Sequence, residues 1–495
     1  MMKKHIILMA MMVAVVSLVF ANYGIAEPLE GAAKQRPAYY TSPSAAKALK
    51  VPDADRAKAV AESFLVVKEL KRPAPDFQAD FPKRPKFNDK FFQDWKKMCG
   101  YDAPSLISLN DPAPEIKSGT VITPMNYTSF PNLYKILPES QLWRLTSKGY
   151  PQLKKIEVES TTPIYFHTKI VEESYKNDGK ISVDPKTRQL LGGYKIGLPF
   201  LHPKTGLEYE WNAIMAKIHF QDEFSFQTIN YFNFDGKGNA ERTIRCNLYW
   251  ARFLGRSHSK YDADYYYEGA EQEKKDGVLE KGSMVVVYPS DIKGFAFVRT
   301  RYMDPERPDY FIAYIPGMRR VRVLSGTDAQ DPIFGTELQW DTWATDWQKV
   351  SGTIYPNDYN IMGEGVLLYP SYMPAPSVRV EGNVMYTRWQ KRPVTVLEYV
   401  SKDPRYYYGY RVKYMDMETK REALMEYYDT KGNLWRTWTG FRYHYPDTAV
   451  TCWEGCDIPD YINRHHTILK MESRPNDPTM TPAYFDLRFL SRQAR

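Results

Sequence analysis

The chain lacks the local signatures of the common catalytic sites. It has no Gly-x-Ser-x-Gly elbow, no phosphate-binding glycine-rich loop and no His-Glu-x-x-His helix. Gly236-x-Gly238 is missing the third glycine of a dinucleotide fingerprint. No run of basic residues or recognition motif argues for nucleic acid, and the net charge of +8 (67 Lys+Arg less 59 Asp+Glu over 495 residues) is mild. No apolar run of membrane-spanning length follows the first two dozen residues. Cysteine is scarce, with Cys99, Cys246, Cys452 and Cys456 only, and no Cys-x-x-Cys-His haem site occurs. A zinc set from Cys452, Cys456, His465 and His466 has spacings unlike the standard ligand patterns. These absences point away from an enzyme, and no metal or cofactor is expected. His465-His466 near Asp457 and Asp460 is the one cluster that a catalytic reading could use.

What is present begins with a targeting segment. Lys3 and Lys4 precede an almost wholly apolar run from Ile6 to Ala21, and Gly24-Ile25-Ala26 or Val19-Phe20-Ala21 offers a cleavage site. Residues 1–26 therefore read as a secretory signal peptide. No cysteine follows the run for lipid attachment, so the mature protein is expected to be soluble in a bacterial periplasm. Export makes disulfides possible. Of three pairings the local one is favoured: Cys452 and Cys456 closing a small loop with Gly455 easing the turn.

Aromatic residues are abundant (38 Tyr, 23 Phe, 11 Trp), and they favour pleated, half-buried surfaces. Residues 27–136 are proline-rich with short periodic runs: Ala45 to Lys71 and Phe87 to Cys99 read as helices in an arm packed over the main body. The main domain spans 137–472, and a tail 473–495 follows. Helices are predicted from Pro138 to a stop at Gly149, at Pro163–Tyr175 with Thr162 as cap, and around Tyr209–Phe220. Strands are predicted at Ser283–Tyr288, Phe295–Met303, Met385–Trp389, Val394–Val400, Tyr406–Met417, Glu422–Tyr428 and Leu434–Tyr445, with Asp331 to Tyr372 as an interruption. Tyr310 to Leu324 reads as a strand broken by Pro316-Gly317 that resumes as Arg320-Val321-Arg322-Val323, greasy on one face and charged on the other. Tyr408, Tyr410, Val412 and Tyr414 share a face, with Arg411 and Lys413 opposite. Asp235–Asn239 and Asp429–Asn433 share hairpin-turn chemistry.

Successive hairpins after several helices fit an α+β, mainly β fold: a large curved antiparallel sheet, an unclosed barrel, wrapped around helices. Space left on the concave side would suit a hydrophobic ligand. The binding candidates are Tyr314, Tyr408 and Tyr410 on aromatic faces, and Trp340, Trp343 and Trp347 at helical spacing. Arg319, Arg320 and Arg322 are candidates for an anionic headgroup.

Gly197-Leu198-Pro199-Phe200 with Trp211-Asn212, then Pro316-Gly317-Met318-Arg319-Arg320-Val321-Arg322 with Asp331-Pro332, and the strand order from Val394 to Tyr445, carry a family resemblance. Over roughly 137–445 the chain resembles the periplasmic domain-of-unknown-function family 1329, similar to outer-membrane lipoprotein-sorting proteins. Val323-Leu324 departs from it where an Arg-Ala-Pro-like run is usual. The resemblance implies a LolA/LolB-like half-barrel with a helical lid, no established enzyme activity, and association of some relatives with inner-membrane exporters and outer-membrane proteins. The expected function is a periplasmic carrier or chaperone of a lipid or other hydrophobic molecule. The alternative is a non-catalytic scaffold subunit of an envelope complex.

Overall fold

The computed structural model describes residues 69–73 and 88–493, apart from 147–148, 258–261, 264–265, 325–330, 341–348, 371–378 and 431–432. The signal segment, the Ala45–Lys71 helix up to residue 68, Trp343 and Trp347 lie outside the described residues.

Fifteen strands form one sheet. In chain order they are β1 (Val121–Ile122), β2 (Ile156–Val158), β3 (Glu223–Phe234), β4 (Ala240–Arg252), β5 (Val278–Tyr288), β6 (Ala296–Tyr302), β7 (Tyr310–Ile315), β8 (Arg320–Leu324), β9 (Asn357–Pro370), β10 (Arg388–Ser401), β11 (Tyr408–Asp416), β12 (Glu422–Asp429), β13 (Leu434–Tyr445), β14 (Val450–Asp460) and β15 (His465–Pro475). Across the sheet the order is β1-β2-β10-β11-β12-β13-β14-β15-β3-β4-β5-β6-β7-β8, with β9 also on β10. Among the described strands only the short β2–β10 contact is parallel. No described strand joins β8 back to β9 or β1, so the sheet stays open. The helices are α1 (Asp89–Cys99), α2 (Ala103–Asn110), α3 (Glu139–Arg144), α4 (Thr168–Asn177), α5 (Gly206–Met215), α6 (Glu271–Lys275) and α7 (Leu487–Gln493).

The two similar turns are built alike. Asn239 N and Asn433 N each donate at 2.8 Å to Asp235 and Asp429, and each amide Nδ2 donates to the second carboxylate oxygen at 2.9 Å. They close the β3–β4 and β12–β13 hairpins. The Gly197–Phe200 and Trp211-Asn212 motifs form one unit. Asn212 accepts from Phe200 N at 3.0 Å and donates to Phe200 O at 2.7 Å, tying α5 to the preceding loop.

The sheet is strongly rolled. The Tyr408 hydroxyl on β11 donates to Gln339 at 3.0 Å. The next residue, Trp340, packs edge-on against Phe297 of β6 and Phe311 of β7, with ring centroids 5.0 and 5.2 Å apart. Strands β11 and β6 are eight spacings apart in the sheet order, about 38 Å if flat. Consecutive residues can reach both only if the sheet curls around them. The face carrying Tyr408, Phe297 and Phe311 is therefore concave.

Several sequence expectations are corrected. The stretch Asp331–Tyr372 contains the long strand β9, whose polar first half and Gly363 and Gly365 hide its alternation. Strands β14 and β15 extend the sheet beyond Tyr445. Helix α4 starts at Thr168, capped by His167. The residues before it are held extended, because Ile164 N donates to Glu418 at 2.9 Å and Arg392 donates to Thr162 O. Cys452 and Cys456 do not close a loop. Both are free thiols on β14, and four residues of extended chain put them about 13 Å apart, beyond disulfide reach. Gly455 serves close packing, since a Cβ there would strike the Leu469 carbonyl of β15.

Tyr408 and Tyr410 do not share a face. Gly409 is an extra residue in the β11–β12 register, and such a bulge turns the chain by one side-chain position. A Cβ at Gly409 would lie 2.6 Å from the Asp429 carbonyl oxygen. Tyr410, Val412 and Tyr414 consequently look outward, beneath Ile116 and Ile136 and beneath Leu142 and Leu145 at helix α3. Ala113, Ile116, Ile122, Leu133 and Ile136 thus pack on the convex side of the sheet.

Candidate functional site

The concave side has two halves. Strand alternation places Arg411 and Lys413 opposite Tyr410 and Val412, as expected, but that face is the inside of the roll. Both side chains are buried. Lys413 pairs with Glu210 of α5 at 2.8 Å, Tyr399 of β10 also hydrogen-bonds Glu210, and Arg411 donates to Asn357 at 2.9 Å. Further along, Glu280 of β5 is held by Lys217 at 2.9 Å and Arg299 at 2.6 Å. Burial alone would raise Glu280, but the two cations outweigh it and bring it down to about 2. Helix α5 thus lies over a layer in which Lys413 pairs with Glu210, and Lys217 and Arg299 pair with Glu280, as buried charges require.

The other half is apolar. Phe224, Phe226, Trp250, Phe297, Phe311, Met425, Tyr427 and Trp438 form one buried cluster with Tyr408. Ile333, Leu338 and Trp340 complete it from the segment that crosses the concave face. Trp340 is therefore a core residue here, packed where the roll brings β6 and β7 near β11.

One carboxylate secures that segment. Glu337 lies 2.9 Å from Arg436 and 2.8 Å from His465. The Glu337 amide donates to Thr467 Oγ1 at 2.9 Å. Arg436 is fixed from behind by Asp460 at 2.9 Å. Glu337 first, and then Glu241, raise the His465 imidazole to about 9 against the effect of burial. His465 is therefore cationic at neutral pH, and the latch is charged on both sides.

His466 takes no part in it. Alternation along β15 turns it to the convex side, where it meets Asp457, which also binds Arg144 of α3 at 2.7 Å. Burial would raise Asp457, but Arg144 and His466 hold it well below the usual carboxylate range. Asp457 thus pins helix α3 to the sheet. The two histidines point to opposite faces and do not converge on one reacting atom. Among the described residues no group of three His, Cys, Asp or Glu side chains could hold a metal ion.

The arginine hairpin lies at the sheet's open end. The turn takes its left-handed residue at Arg319 (φ 50°), while Gly317 has no positive φ. Arg320 and Arg322 stand opposite Ile315 and Ala313, on the same side as Phe311, so they extend the concave face beyond its apolar cluster. Tyr314 stands on the convex side with Val321. Of the sequence candidates, then, the structure brings Tyr408 and Trp340 together on the concave face and puts Arg320 and Arg322 at its lip. It sends Tyr314 and Tyr410 to the convex side. Glu337 and Arg436 were not foreseen, and His465 was singled out only for a zinc or catalytic cluster; the contacts of Glu337 to both span about a hundred residues or more, and no local pattern announces them.

A family model described as a protein of unknown function, DUF1329, matches residues 121–490, well over half of the chain. No curated protein matches. Among solved structures, a DUF1329 family protein from Desulfovibrio piger is 17% identical, with a TM-score of 0.39, covering 58% of this chain and 95% of that one. An outer membrane lipoprotein-sorting protein domain from Vibrio parahaemolyticus is 18% identical, with a TM-score of 0.37, covering 55% and 92%. A LolA superfamily protein from Nitrosomonas europaea is 12% identical, with a TM-score of 0.33, covering 57% and 98%. No described helix is long and apolar enough to cross a membrane.

Proposed function

The chain belongs to the DUF1329 family, whose function is unassigned, and from its geometry we propose that it is a periplasmic carrier holding an apolar molecule non-covalently on the concave face. The observation that carries this reading is the segment Ile333–Trp340. It places Ile333, Leu338 and Trp340 in the apolar cluster as a guest's chain would lie, and it is held by the Glu337 carboxylate together with the Glu337 amide on Thr467 and Gln339 on Tyr408. Burying apolar area is worth about 25 cal/mol per Å². A guest that replaces these side chains area for area exchanges with them at little net cost, which makes loading and release reversible. Arg320 and Arg322 at the lip would meet an anionic headgroup, and no covalent step is required.

Purification from the periplasm without detergent, followed by solvent extraction and mass spectrometry, tests the reading. A co-purifying lipid or other apolar compound is expected, at higher occupancy in Glu337→Gln. Empty protein that also leaves the fluorescence of N-phenyl-1-naphthylamine unchanged would overturn it. The alternative of a scaffold subunit draws on a different feature, the exposed hairpin.

A further inference from the structure

Strand β8 closes one end of the sheet order, and no described residue pairs with its outer edge. An unpaired strand edge is a template for another strand, and proteins usually blunt it with a bulge, a proline, a covering element or a charge on the exposed face. Here β8 has neither a bulge against β7 nor a proline, and of these devices it carries the charge of Arg320 and Arg322, which repels edges of like sign and not acidic ones. Its convex face carries Val321 and Val323, 55% and 66% exposed, beside Tyr314 and Ile312 of β7. Its other face carries Arg320 and Arg322, both exposed and without an ion pair to any described residue. The neighbouring convex surface is different in kind: Leu487 and Leu490 of α7 cover it and pack with Val298 and Ile312. The apolar strip on β8 begins where that cover ends.

We propose that β8 is a docking edge for an extended strand of another protein, one whose residues alternate acidic and apolar. Cross-strand pairing sets this chemistry. Carboxylates opposite Arg320 and Arg322 are favourable, and β-branched residues opposite Val321 and Val323 bury what is now exposed. A second copy of β8 fits poorly, because pairing two such edges sets arginine against arginine. The inference stands whether or not the concave face carries a guest.

Fluorescence anisotropy on the full chain tests it with three labelled peptides: an alternating Val-Glu octapeptide, its Val-Lys counterpart, and the Val-Glu peptide interrupted by a central proline. The Val-Glu peptide is expected to bind at least about tenfold more tightly than the other two. The double variant Arg320→Glu/Arg322→Glu should invert the preference for charge while leaving the proline effect intact. Val321→Asn/Val323→Asn should weaken the Val-Glu peptide with both arginines in place. Equal binding of the proline-interrupted peptide would overturn the proposal, since strand addition needs an unbroken backbone edge. So would binding of phosphatidylglycerol vesicles, lost in the double arginine variant, when no peptide binds; that result would make the hairpin a membrane contact.

Discussion

The Glu337 carboxylate lies 2.9 Å from the Arg436 guanidinium, joining the segment across the concave face to strand β13. Both side chains are nearly buried, and removing one partner of such a pair leaves an uncompensated charge. Glu337→Gln should therefore release Ile333–Trp340 more readily than it unfolds the sheet, since Asp460 still holds Arg436. Binding of N-phenyl-1-naphthylamine should tighten by about tenfold, equivalent to about 1.4 kcal/mol, read by fluorescence titration. Unchanged binding would mean that the latch does not control access.

A second expectation concerns pH. Glu426 on β12 is buried and accepts from the Tyr414 and Tyr428 hydroxyls at 3.2 and 3.0 Å. Burial pushes its carboxyl up to about 7 from an ordinary 4.5. The folded state thus keeps a proton that the unfolded chain has lost. The stability this gives is complete below about pH 4.5 and is lost as pH rises through about 7. Glu426→Gln should match wild type near pH 5 and exceed it by of order 2 kcal/mol at pH 8, measured by urea unfolding at both values. Equal stability at both would show that Glu426 titrates normally.

The bulge on β11 rests on one small residue. Gly409→Ala brings a methyl group against the Asp429 carbonyl and should cost about 1–3 kcal/mol. Gly317→Ala, with nothing within 4 Å, should cost less than about 1 kcal/mol. Thermal melts of the two variants give the comparison, and equal losses would argue against the bulge.

The cysteines give a chemical count. All four are free, so denatured protein, never exposed to reductant, should yield four thiols with Ellman's reagent. Two thiols, with a mass lower by two hydrogens, would restore a bridge.

Residues whose environment is set by near neighbours could be read from the sequence. Arg320-Val321-Arg322-Val323 alternates as expected, the Asp235 and Asp429 turns form the expected hairpins, and the mainly β, open sheet follows from such segments. Faces were lost where the decisive contact comes from another strand. Gly409 shifts Tyr408 to the concave side because of its fit to Asp429, and Gly455 looked like a turn residue although its smallness serves Leu469. Arg411 and Lys413 were placed opposite Tyr410 and Val412, but their burial was not legible because their partners, Asn357 and Glu210, lie far away in the chain. The latch on Glu337 had no sequence signal for the same reason.

A carrier of this kind must take a guest on the apolar half of its concave face in place of Ile333–Trp340. Irradiating the protein with a diazirine-bearing fatty acid, then mapping the cross-links by peptide mass spectrometry, tests this directly. Labels on β6, β7 and β13 around Phe297, Phe311 and Trp438, stronger in Glu337→Gln, are the predicted result. Labels confined to the convex face, or none that unlabelled fatty acid competes away, would contradict it.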